Sequence, residues 1–533
     1  MATSTSEADI RAEREPYARF RVSPLDPATL RCEDVDRTLL RLAEQSPGVS
    51  PCSKLTVDKF AESYQSRPIY LATIGSGPRR VLLWSQMHGD EPTHTAVLLD
   101  LLSFLTKHPE SPAARTILDG ATLSLIPMLN PDGAAAAIRF NAQHIDINRD
   151  SLRLETLEGQ ALNRAVKTLH PEFGFNLHNQ NARTAIGNPP RPAAIALMAP
   201  PLDADLTETL QLRQAKKVAA VFAAAARPHA PGMIARYVAE YMPWAFGEWV
   251  QSQGVVTVLV EAGGWPESDP APLVEVHFDG LLAALASIAD GSYLDADPAI
   301  YDRLPRDNEL KLYDAVILGG ELLDADLREP LRADLGLNHS HGHRLAQGQR
   351  PDAKLIDLGD LGTATGKVVV DVTGCTILPG RIAFLHDWTP GKPLDGKRLD
   401  ALLAAGVTTV IGRVDPSRRE MLEVLSSAME LPINWSFVPA AEQGPTTSSA
   451  HTLAEIAAET WREFKRLGLG TSRGKVRRDY HADFAIYGPP AADGAAGPLQ
   501  RVVVAGETVW ADGKRTGTGA GAFLRCQTEN GPC

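Results

Sequence analysis

Short apolar runs alternate with amphipathic stretches through the first half of the chain. The runs have the length and the β-branched or aromatic content of buried strands, and the stretches between them have helical periodicity. The predicted strands are Arg80–Gln86, Ala121–Pro127, Phe173–His178 and Val255–Glu261. The predicted helices are Thr93–Lys107, Leu154–Leu169, Asp205–Ala226 and Trp244–Gln251. This alternation predicts an α/β domain with a mixed, mostly parallel sheet flanked by helices.

The pattern changes on either side of this region. Helical pieces broken by prolines precede it, and a Pro/Asp-rich passage at Asp295–Asp307 is typical of a linker. Beyond the linker, β-rich runs are interrupted by glycines, with two isolated helices at Leu399–Ala405 and Leu453–Leu467. We therefore expect an N-terminal helical extension over 1–66, the α/β domain over 67–300 and a mostly β accessory domain over 308–533.

Composition and charge exclude several classes of protein. The chain has 533 residues, of which 44% are hydrophobic and 22% charged, as in an ordinary folded protein. The net charge is −12 and no basic block is present, so a nucleic-acid partner is not expected. No membrane span is expected, and the polar start at Met1–Arg21 favours a cytoplasmic protein, with a mature secreted or periplasmic form left open.

The five cysteines are sparse and lack zinc-finger spacing, which suits a reducing compartment better than a disulfide framework. Whether Cys32 and Cys52 pair is left open by the sequence.

Candidate metal ligands stand where predicted strands end. His88 and Glu91 follow the first strand three residues apart, so both side chains can face one ion. His178 ends another strand and could complete the set. Two histidines and one carboxylate leave a position open for water, which is typical of a catalytic zinc site. A spacing of this kind is weak evidence when it stands alone.

Further polar motifs lie downstream in a fixed order. They are Asn130-Pro131-Asp132-Gly133, Arg139-Phe140-Asn141, Asp146-Ile147-Asn148-Arg149 and the strand end at Glu261. A carboxylate at the end of an apolar strand is costly to bury unless it has partners or a task. Together with the histidines, this order resembles the zinc carboxypeptidases of the M14, or carboxypeptidase A-like, class over Pro68–Ile288.

The resemblance implies a role for each matched residue. It implies one Zn²⁺ per chain, held by His88, Glu91 and His178. Glu261 is implied as the general base, and Arg139 as the group that stabilises the oxyanion. The resemblance further implies that Asn148 and Arg149 bind the free carboxylate of the substrate. Asp146 is expected to orient a ligand histidine.

Substrate preference does not follow from the resemblance. The family has a substrate-contacting tyrosine before the general base, and here Tyr237 and Tyr241 are equally good candidates. The residue that selects the substrate side chain cannot be matched without gaps. The sequence around His178 resembles the bacterial branch of the family.

The second half resembles a truncated amidohydrolase. Tyr313–Gly320 is similar to the opening strand of the β-sandwich of that superfamily, but its metal-binding His-x-His is absent and His386 stands near that point. Too few residues remain for a full barrel, which needs about 200 or more. We expect an accessory domain without catalysis, in which His386 packs or faces solvent and the histidines of Asn338–His343 lie in a solvated loop.

The expected function is zinc-dependent removal of the C-terminal residue from peptides or N-acyl amino acids. Two alternatives stay open, an aminoacylase-type zinc amidase and a binding protein that retains the zinc fold. An active amidohydrolase is disfavoured by the absent His-x-His. The expected partner is a substrate with a free C-terminal carboxylate, and the second half is a candidate surface for self-association.

Overall fold

The structure is a computed structural model, and its chain divides into two compact units. One contains Met1–Lys311 with Gly342–Gln347, and the other contains Leu312–His341 with Gly348–Cys533. The structure describes residues 17, 21–22, 27, 30–46, 51–187, 190–237, 241–266, 271–306, 312–323, 329–339, 353–362, 366–371, 376–379, 381–385, 396–404, 407–414, 434–439, 457, 460–462, 476, 481, 483–487, 499–504, 507–511, 514–516, 527–528 and 531–532.

An eight-stranded mixed sheet forms the centre of the first unit, in the order β1-β2-β4-β3-β5-β10-β8-β9. Its strands are β1 Thr56–Glu62, β2 Pro68–Ile74, β3 Arg79–Ser85, β4 Ala121–Ile126, β5 Phe173–Asn179, β8 Ile195–Met198, β9 Ile234–Arg236 and β10 Val256–Ala262. Two short strands, β6 Ala185–Ile186 and β7 Arg191–Pro192, pair with each other outside this sheet. The central neighbours β4, β3, β5 and β10 run parallel. The predicted fold class is therefore confirmed.

Helices cover both faces of the sheet. They are α1 Cys32–Gln45, α2 Thr93–Lys107, α3 Pro112–Gly120, α4 Pro131–Ala136, α5 Leu157–Leu169, α6 Leu210–Ala226, α7 Phe246–Ser252, α8 Ala271–Asp290 and α9 Ala299–Asp302. Strand β3 shows why two layers form, because successive side chains point to opposite faces. Val81 and Leu83 join the core that includes α2, α6 and α8. Leu82 and Trp84 join a second core with α5 and α7.

The N-terminal extension differs from the prediction. Residues 56–62 form β1, which pairs antiparallel with β2 and extends the sheet at its edge, so the expectation of a helical extension over all of 1–66 is wrong. The sequence of β1 is mostly polar because an edge strand faces solvent, and polar residues there discourage pairing with other chains. Cys32 and Cys52 are not joined by a disulfide: Cys32 Sγ lies 3.1 Å from the Pro131 carbonyl oxygen, and Cys52 Sγ lies 2.8 Å from Ser76 Oγ.

Helix α8 has the length and hydropathy of a membrane span, which the sequence reading did not expect. In the folded unit, however, 78% of its most apolar window is buried against other elements. Burial on all sides is the usual reason for a core helix to be hydrophobic around its whole circumference. Among the described residues it is the only helix that meets these criteria.

The second unit contains a nine-stranded sheet in the order β13-β12-β11-β15-β19-β20-β21-β22, with β14 also paired to β11. Most of its pairs are antiparallel. A separate parallel sheet of three strands contains β16, β17 and β18, with helix α10 preceding β17 in the chain. The bounds are β11 Tyr313–Leu322, β12 Leu331–His339, β13 Ala353–Gly359, β14 Gly366–Asp371, β15 Thr376–Pro379, β16 Arg381–Leu385, α10 Gly396–Ala404, β17 Val407–Val414, β18 Asn434–Pro439, β19 Phe484–Tyr487, β20 Leu499–Val504, β21 Glu507–Ala511 and β22 Lys514–Arg515; β23 Gln527–Thr528 and β24 Gly531–Pro532 pair separately.

Two histidine predictions for the second half of the chain fall mainly outside the described residues. His386, His341 and His343 lie there, as does most of the predicted helix Leu453–Leu467. Asn338 and His339 are the last two residues of β12, so the expectation of a loop is wrong for these two positions.

Asp132, in the Asn-Pro-Asp-Gly turn, ties α4 to the β1–β2 hairpin. Its side chain is 1% exposed and accepts hydrogen bonds from Ser63 Oγ at 2.8 Å, the Gln65 backbone N–H at 2.9 Å and Arg67 Nη1 at 2.6 Å. A buried carboxylate with three donors is well compensated. The turn is thus anchored to the edge of the sheet by one side chain.

We predict that Asp132→Ala lowers the free energy of unfolding by about 2–3 kcal/mol, because the buried Ser63 hydroxyl loses its acceptor and the hydrogen bonds from Gln65 and Arg67 are also lost. Chemical denaturation of the full chain, followed by tryptophan fluorescence, measures the change. Asp119→Ala is the matched control, since Asp119 is exposed and its removal should cost less than about 0.5 kcal/mol. Equal effects for the two variants would contradict the anchoring role.

Candidate active site

The ends of β3, β5 and β10 bring the predicted catalytic residues together. His88 and Glu91 follow β3, whereas His178 and Glu261 are the second-to-last residues of β5 and β10. Glu261 and His178 are register partners on these parallel neighbours, so their side chains stand side by side on one face. The carboxyl edge of a parallel sheet is where ligands bind in open α/β folds.

Three of these side chains converge on one buried point. His88 Nδ1 lies 2.7 Å from Glu91 Oε1, and His178 Nδ1 lies 2.8 Å from Glu91 Oε2. The two imidazole Nδ1 atoms are 3.2 Å apart. His88 and His178 are each 2% exposed, and Glu91 is 6% exposed. One ligand atom from each residue therefore points into a space the size of a single ion.

The spacing of these atoms fits zinc. Tetrahedral ligands at the usual Zn–N length of about 2.0–2.1 Å lie about 3.3 Å from one another. The observed separation of 3.2 Å between the two Nδ1 atoms is close to that value. The donor set of two imidazoles and one carboxylate is also one that catalytic zinc sites use, with room left for water or substrate.

Electrostatics keep the carboxylates of the site ionised. Burial alone would raise the pKa of Glu91, but His88 and His178 outweigh it and hold that pKa well below its usual range. Burial would also raise the pKa of Asp146, but its interactions with His88 and Arg139 lower that pKa. Burial lowers the pKa of His178, so its imidazole is neutral and able to donate a lone pair.

Burial also disfavours charge on His88, yet Glu91 and Asp146 together raise its pKa to about 9. A proton and a metal ion would compete for the ring nitrogen that faces Glu91, because an imidazole nitrogen must be deprotonated to coordinate a metal.

Asp146 contacts the imidazole of His88, as the sequence analysis predicts. Its Oδ1 lies 3.2 Å from His88 Nε2, so the other ring nitrogen, Nδ1, faces Glu91. Arg139 Nε donates to Asp146 Oδ2 at 3.0 Å, and Arg139 Nη1 lies 3.6 Å from Glu91 Oε1. The guanidinium of Arg139 therefore lies at the metal-ligand cluster, with a side chain that is 38% exposed.

The Asn-Pro-Asp-Gly turn holds the loop that carries His88. Asn130 Nδ2 donates to the Met87 carbonyl oxygen at 3.2 Å, and Asn130 Oδ1 accepts from the Gly133 N–H at 2.9 Å. The backbones of Gly89 and Gly133 touch, because a Cβ added at Gly89 would come within 1.9 Å of the Gly133 carbonyl carbon. The two glycines are required by this close approach.

Asn148 and Arg149 lie on a 3-10 helix, Ile147–Arg149, which Asp146 caps by accepting a hydrogen bond from the Asn148 backbone N–H at 2.9 Å. Asn148 Oδ1 accepts from the Phe246 backbone N–H at 2.9 Å, which leaves the Asn148 amide NH₂ to face the pocket. Arg149 has an exposed side chain whose Nη1 donates to the Asn148 carbonyl oxygen. Both residues line the same pocket as the metal-ligand cluster.

The pocket has a volume of about 540 Å³ and contains every predicted site residue except Tyr241 and Asp146. Tyr237 lines it, and the side chain of Tyr237 packs on the small cluster that includes Ala196 and Ala235. The structure therefore distinguishes the two tyrosines by position.

The structure also reveals pocket residues that the sequence reading missed, namely Asn176, Met198, Glu248 and Leu259. Asn176 and Leu259 stand two residues before His178 and Glu261 on their strands, and strand periodicity would have placed them on the same face. No local pattern indicates Glu248, because it reaches the pocket through the placement of α7.

Comparisons with known proteins agree with the sequence motifs. Residues 47–192 match the family model of the zinc carboxypeptidases, Peptidase_M14. Carboxypeptidase SOL1 of Arabidopsis thaliana is 30% identical over 107 residues, which are 19% of this chain and 22% of that protein. Cytosolic carboxypeptidase-like protein 5 of Bos taurus is 28% identical over 155 residues, which are 28% of this chain and 17% of that protein.

A solved metallo-carboxypeptidase from Burkholderia cenocepacia aligns with 49% of this chain and 69% of its own, at 18% identity and a TM-score of 0.40. The chain covers about a fifth of the length of the curated relatives. The match to the zinc carboxypeptidase model falls on the part of the chain for which the sequence predicts an M14 domain, and the comparisons do not support the predicted amidohydrolase-like second half.

We predict that the full chain binds one equivalent of Zn²⁺ and that His178→Ala abolishes tight binding, because a ligand is lost from a three-residue set. Metal analysis after dialysis against limiting zinc measures this. His229→Ala, which removes an exposed imidazole elsewhere in the same unit, should still retain one equivalent. Stoichiometric zinc in His178→Ala would contradict the ligand assignment.

Proposed function

We propose that this chain, which contains a zinc carboxypeptidase domain, hydrolyses the C-terminal amide bond of peptides or N-acyl amino acids. The observation that carries the proposal is the convergence of His88, Glu91 and His178 within one pocket that Glu261 also lines. A binding protein would need the metal ligands and the pocket but would not need a carboxylate base beside them. The presence of Glu261 therefore favours an enzyme.

Glu261 is the proposed general base and acid. A zinc ion held by the two histidines and Glu91 would supply Lewis-acid polarisation of the scissile carbonyl and lower the pKa of the attacking water. Glu261 takes one proton from that water as its oxygen attacks the carbonyl carbon. The same carboxyl then delivers this proton to the departing amine nitrogen, so one water is consumed and one acid and one amine are formed.

Arg139 is the proposed partner of the developing oxyanion. Its guanidinium lies at the metal-ligand cluster and is fixed by Asp146, so its positive charge needs little reorganisation during the reaction. Preorganised charge of this kind stabilises a transition state more than a mobile side chain does.

Asn148 and Arg149 are the proposed binding site for the free carboxylate of the substrate. A guanidinium donates two parallel hydrogen bonds to a carboxylate, and the Asn148 amide adds another donor. Exposure of the Arg149 side chain leaves its donors accessible from the pocket. Recognition of a terminal carboxylate would restrict cleavage to the last residue. Tyr237 is the proposed tyrosine that contacts the substrate, because it lines this pocket.

An aminoacylase-type amidase remains the alternative, since it would use the same base and metal ligands. A panel containing both N-blocked dipeptides and N-acyl amino acids separates the two activities. The second unit is proposed as an accessory domain without catalysis.

We predict that Glu261→Gln lowers kcat on N-blocked dipeptides by about 10²–10⁴-fold, because the amide cannot accept the proton of water. Zinc content should stay at one equivalent, and chelation should abolish the activity of the unchanged protein until zinc is restored. Glu110→Gln, which alters an exposed carboxylate, should retain full activity. Turnover by Glu261→Gln equal to that of the unchanged protein would exclude the proposed base.

We predict that Arg149→Ala reduces kcat/KM for dipeptides with a free carboxylate by about 10–100-fold, since a charge-assisted pair is lost. Substrates whose C-terminus is an amide should be hydrolysed poorly by both proteins and show little change. Arg153→Ala removes an exposed arginine four residues away and serves as the control. An equal loss on both classes of substrate would argue against carboxylate recognition by Arg149.

A further inference from the structure

Asn176 is a buried amide in the pocket whose hydrogen-bonding capacity is unused. It is 1% exposed, and neither Oδ1 nor Nδ2 has a hydrogen-bond partner among the described residues. Leaving such a group unsatisfied costs free energy, and buried polar side chains in folded proteins are normally paired. An amide in this position therefore indicates a ligand that supplies the missing partner.

Glu248 is a second buried group at the same pocket. It is 4% exposed, and its Oε1 has no hydrogen-bond partner among the described residues. Burial raises the pKa of its carboxyl, while backbone N–H groups of Glu248 and Met242 and the charge of Arg149 oppose the rise. The backbone contacts explain why a side chain at the start of α7 turns back, but they do not account for Oε1.

The two groups belong to one part of the pocket. A Cβ added at Gly247 would come within 3.2 Å of Asn176 Nδ2, so the residue before Glu248 lies directly against the amide. Leu259 is the register partner of Asn176 on β10, and Met198 is the register partner of Leu259 on β8. The polar side chains of Asn176 and Glu248 and the apolar side chains of Met198 and Leu259 all line the pocket.

We propose that Glu248 and Asn176 form a specificity site for a cationic side chain, so that the preferred C-terminal residue of the substrate is arginine or lysine. The proposal rests on the carboxypeptidase function proposed above. Met198 and Leu259 contact the aliphatic stem, and the Asn176 carbonyl oxygen and Glu248 Oε1 accept hydrogen bonds from the guanidinium or ammonium. The two arginines of the pocket, Arg139 and Arg149, would meanwhile hold the substrate carbonyl and carboxylate.

An apolar or acidic side chain fits this site less well. A leucine or phenylalanine would leave Glu248 Oε1 and both polar atoms of Asn176 without hydrogen-bond partners. Binding would then be weakened by the free energy of desolvating these polar atoms. A glutamate would place a second carboxylate beside Glu248, which is disfavoured by like-charge repulsion. A cation satisfies both acceptors and neutralises the charge.

The test compares substrates that differ only in charge. The zinc-loaded full chain is assayed on N-benzoylglycyl dipeptides that end in arginine, citrulline, lysine or norleucine, with phenylalanine and glutamate added. Citrulline and norleucine keep the stems of arginine and lysine without the charge. We expect kcat/KM to be about 10–100-fold higher for the charged member of each pair, since hydrogen bonds to charged groups are the stronger ones.

Glu248→Gln should reduce these ratios to within about threefold. Asn176→Ser is the second variant, and it should lower the ratio for arginine without removing it. Glu158→Gln is the matched control, because Glu158 is also buried in the first turn of a helix but lies outside the pocket. Its charge-selectivity ratios should equal those of the unchanged protein.

Faster hydrolysis of phenylalanine or glutamate than of arginine and lysine would overturn the proposal while leaving the carboxypeptidase function intact. Ratios unaffected by Glu248→Gln would overturn it as well. If no substrate is hydrolysed, the proposed function fails, and calorimetric titration with N-acetyl-arginine and N-acetyl-citrulline still tests the site. Equal binding of these two ligands would exclude a cation-selective pocket.

Discussion

A carboxylate buried between two imidazoles is the interaction on which the candidate site depends. Glu91 lies within 2.8 Å of both His88 and His178, and all three side chains are almost completely buried. Ionised groups are costly to remove from water unless a partner of opposite charge compensates them. Here the compensation comes from the two imidazoles or, when bound, from a metal ion, so the cluster is suited to hold a cation.

The central sheet fixes the positions of His178 and Glu261. Three parallel strands end at the same edge, and the register of β5 with β10 places His178 beside Glu261. The loop after β3 has no such register, and it is held instead by Asn130 and by the contact between Gly89 and Gly133. Asp132 then ties that turn to the β1–β2 hairpin, which links a motif near the metal ligands to the edge of the sheet.

Periodicity predicts those parts of the molecule in which local pattern and burial agree. The strands that carry His178 and Glu261 are mostly apolar and buried on both faces, and their existence follows from the sequence alone. Strand β1 escapes such reasoning because an edge strand lacks an apolar run. The pocket position of Asn176 could be predicted from strand alternation. That of Glu248 could not, because only the tertiary position of α7 brings this residue to the pocket.

The pocket combines opposite charges, and this polarity constrains what it can accept. Arg139 lies at the metal-ligand cluster and Arg149 lines the same pocket, whereas Glu248 and the Asn176 carbonyl contribute hydrogen-bond acceptors to its wall. If the proposed roles of the arginines and of Glu248 and Asn176 hold, a ligand that satisfies both sets carries a carboxylate and, on the same residue, a cationic group at the end of an aliphatic stem. A residue inside a longer peptide has no free carboxylate to meet the arginines. The two proposals together therefore favour a terminal basic residue over an internal one.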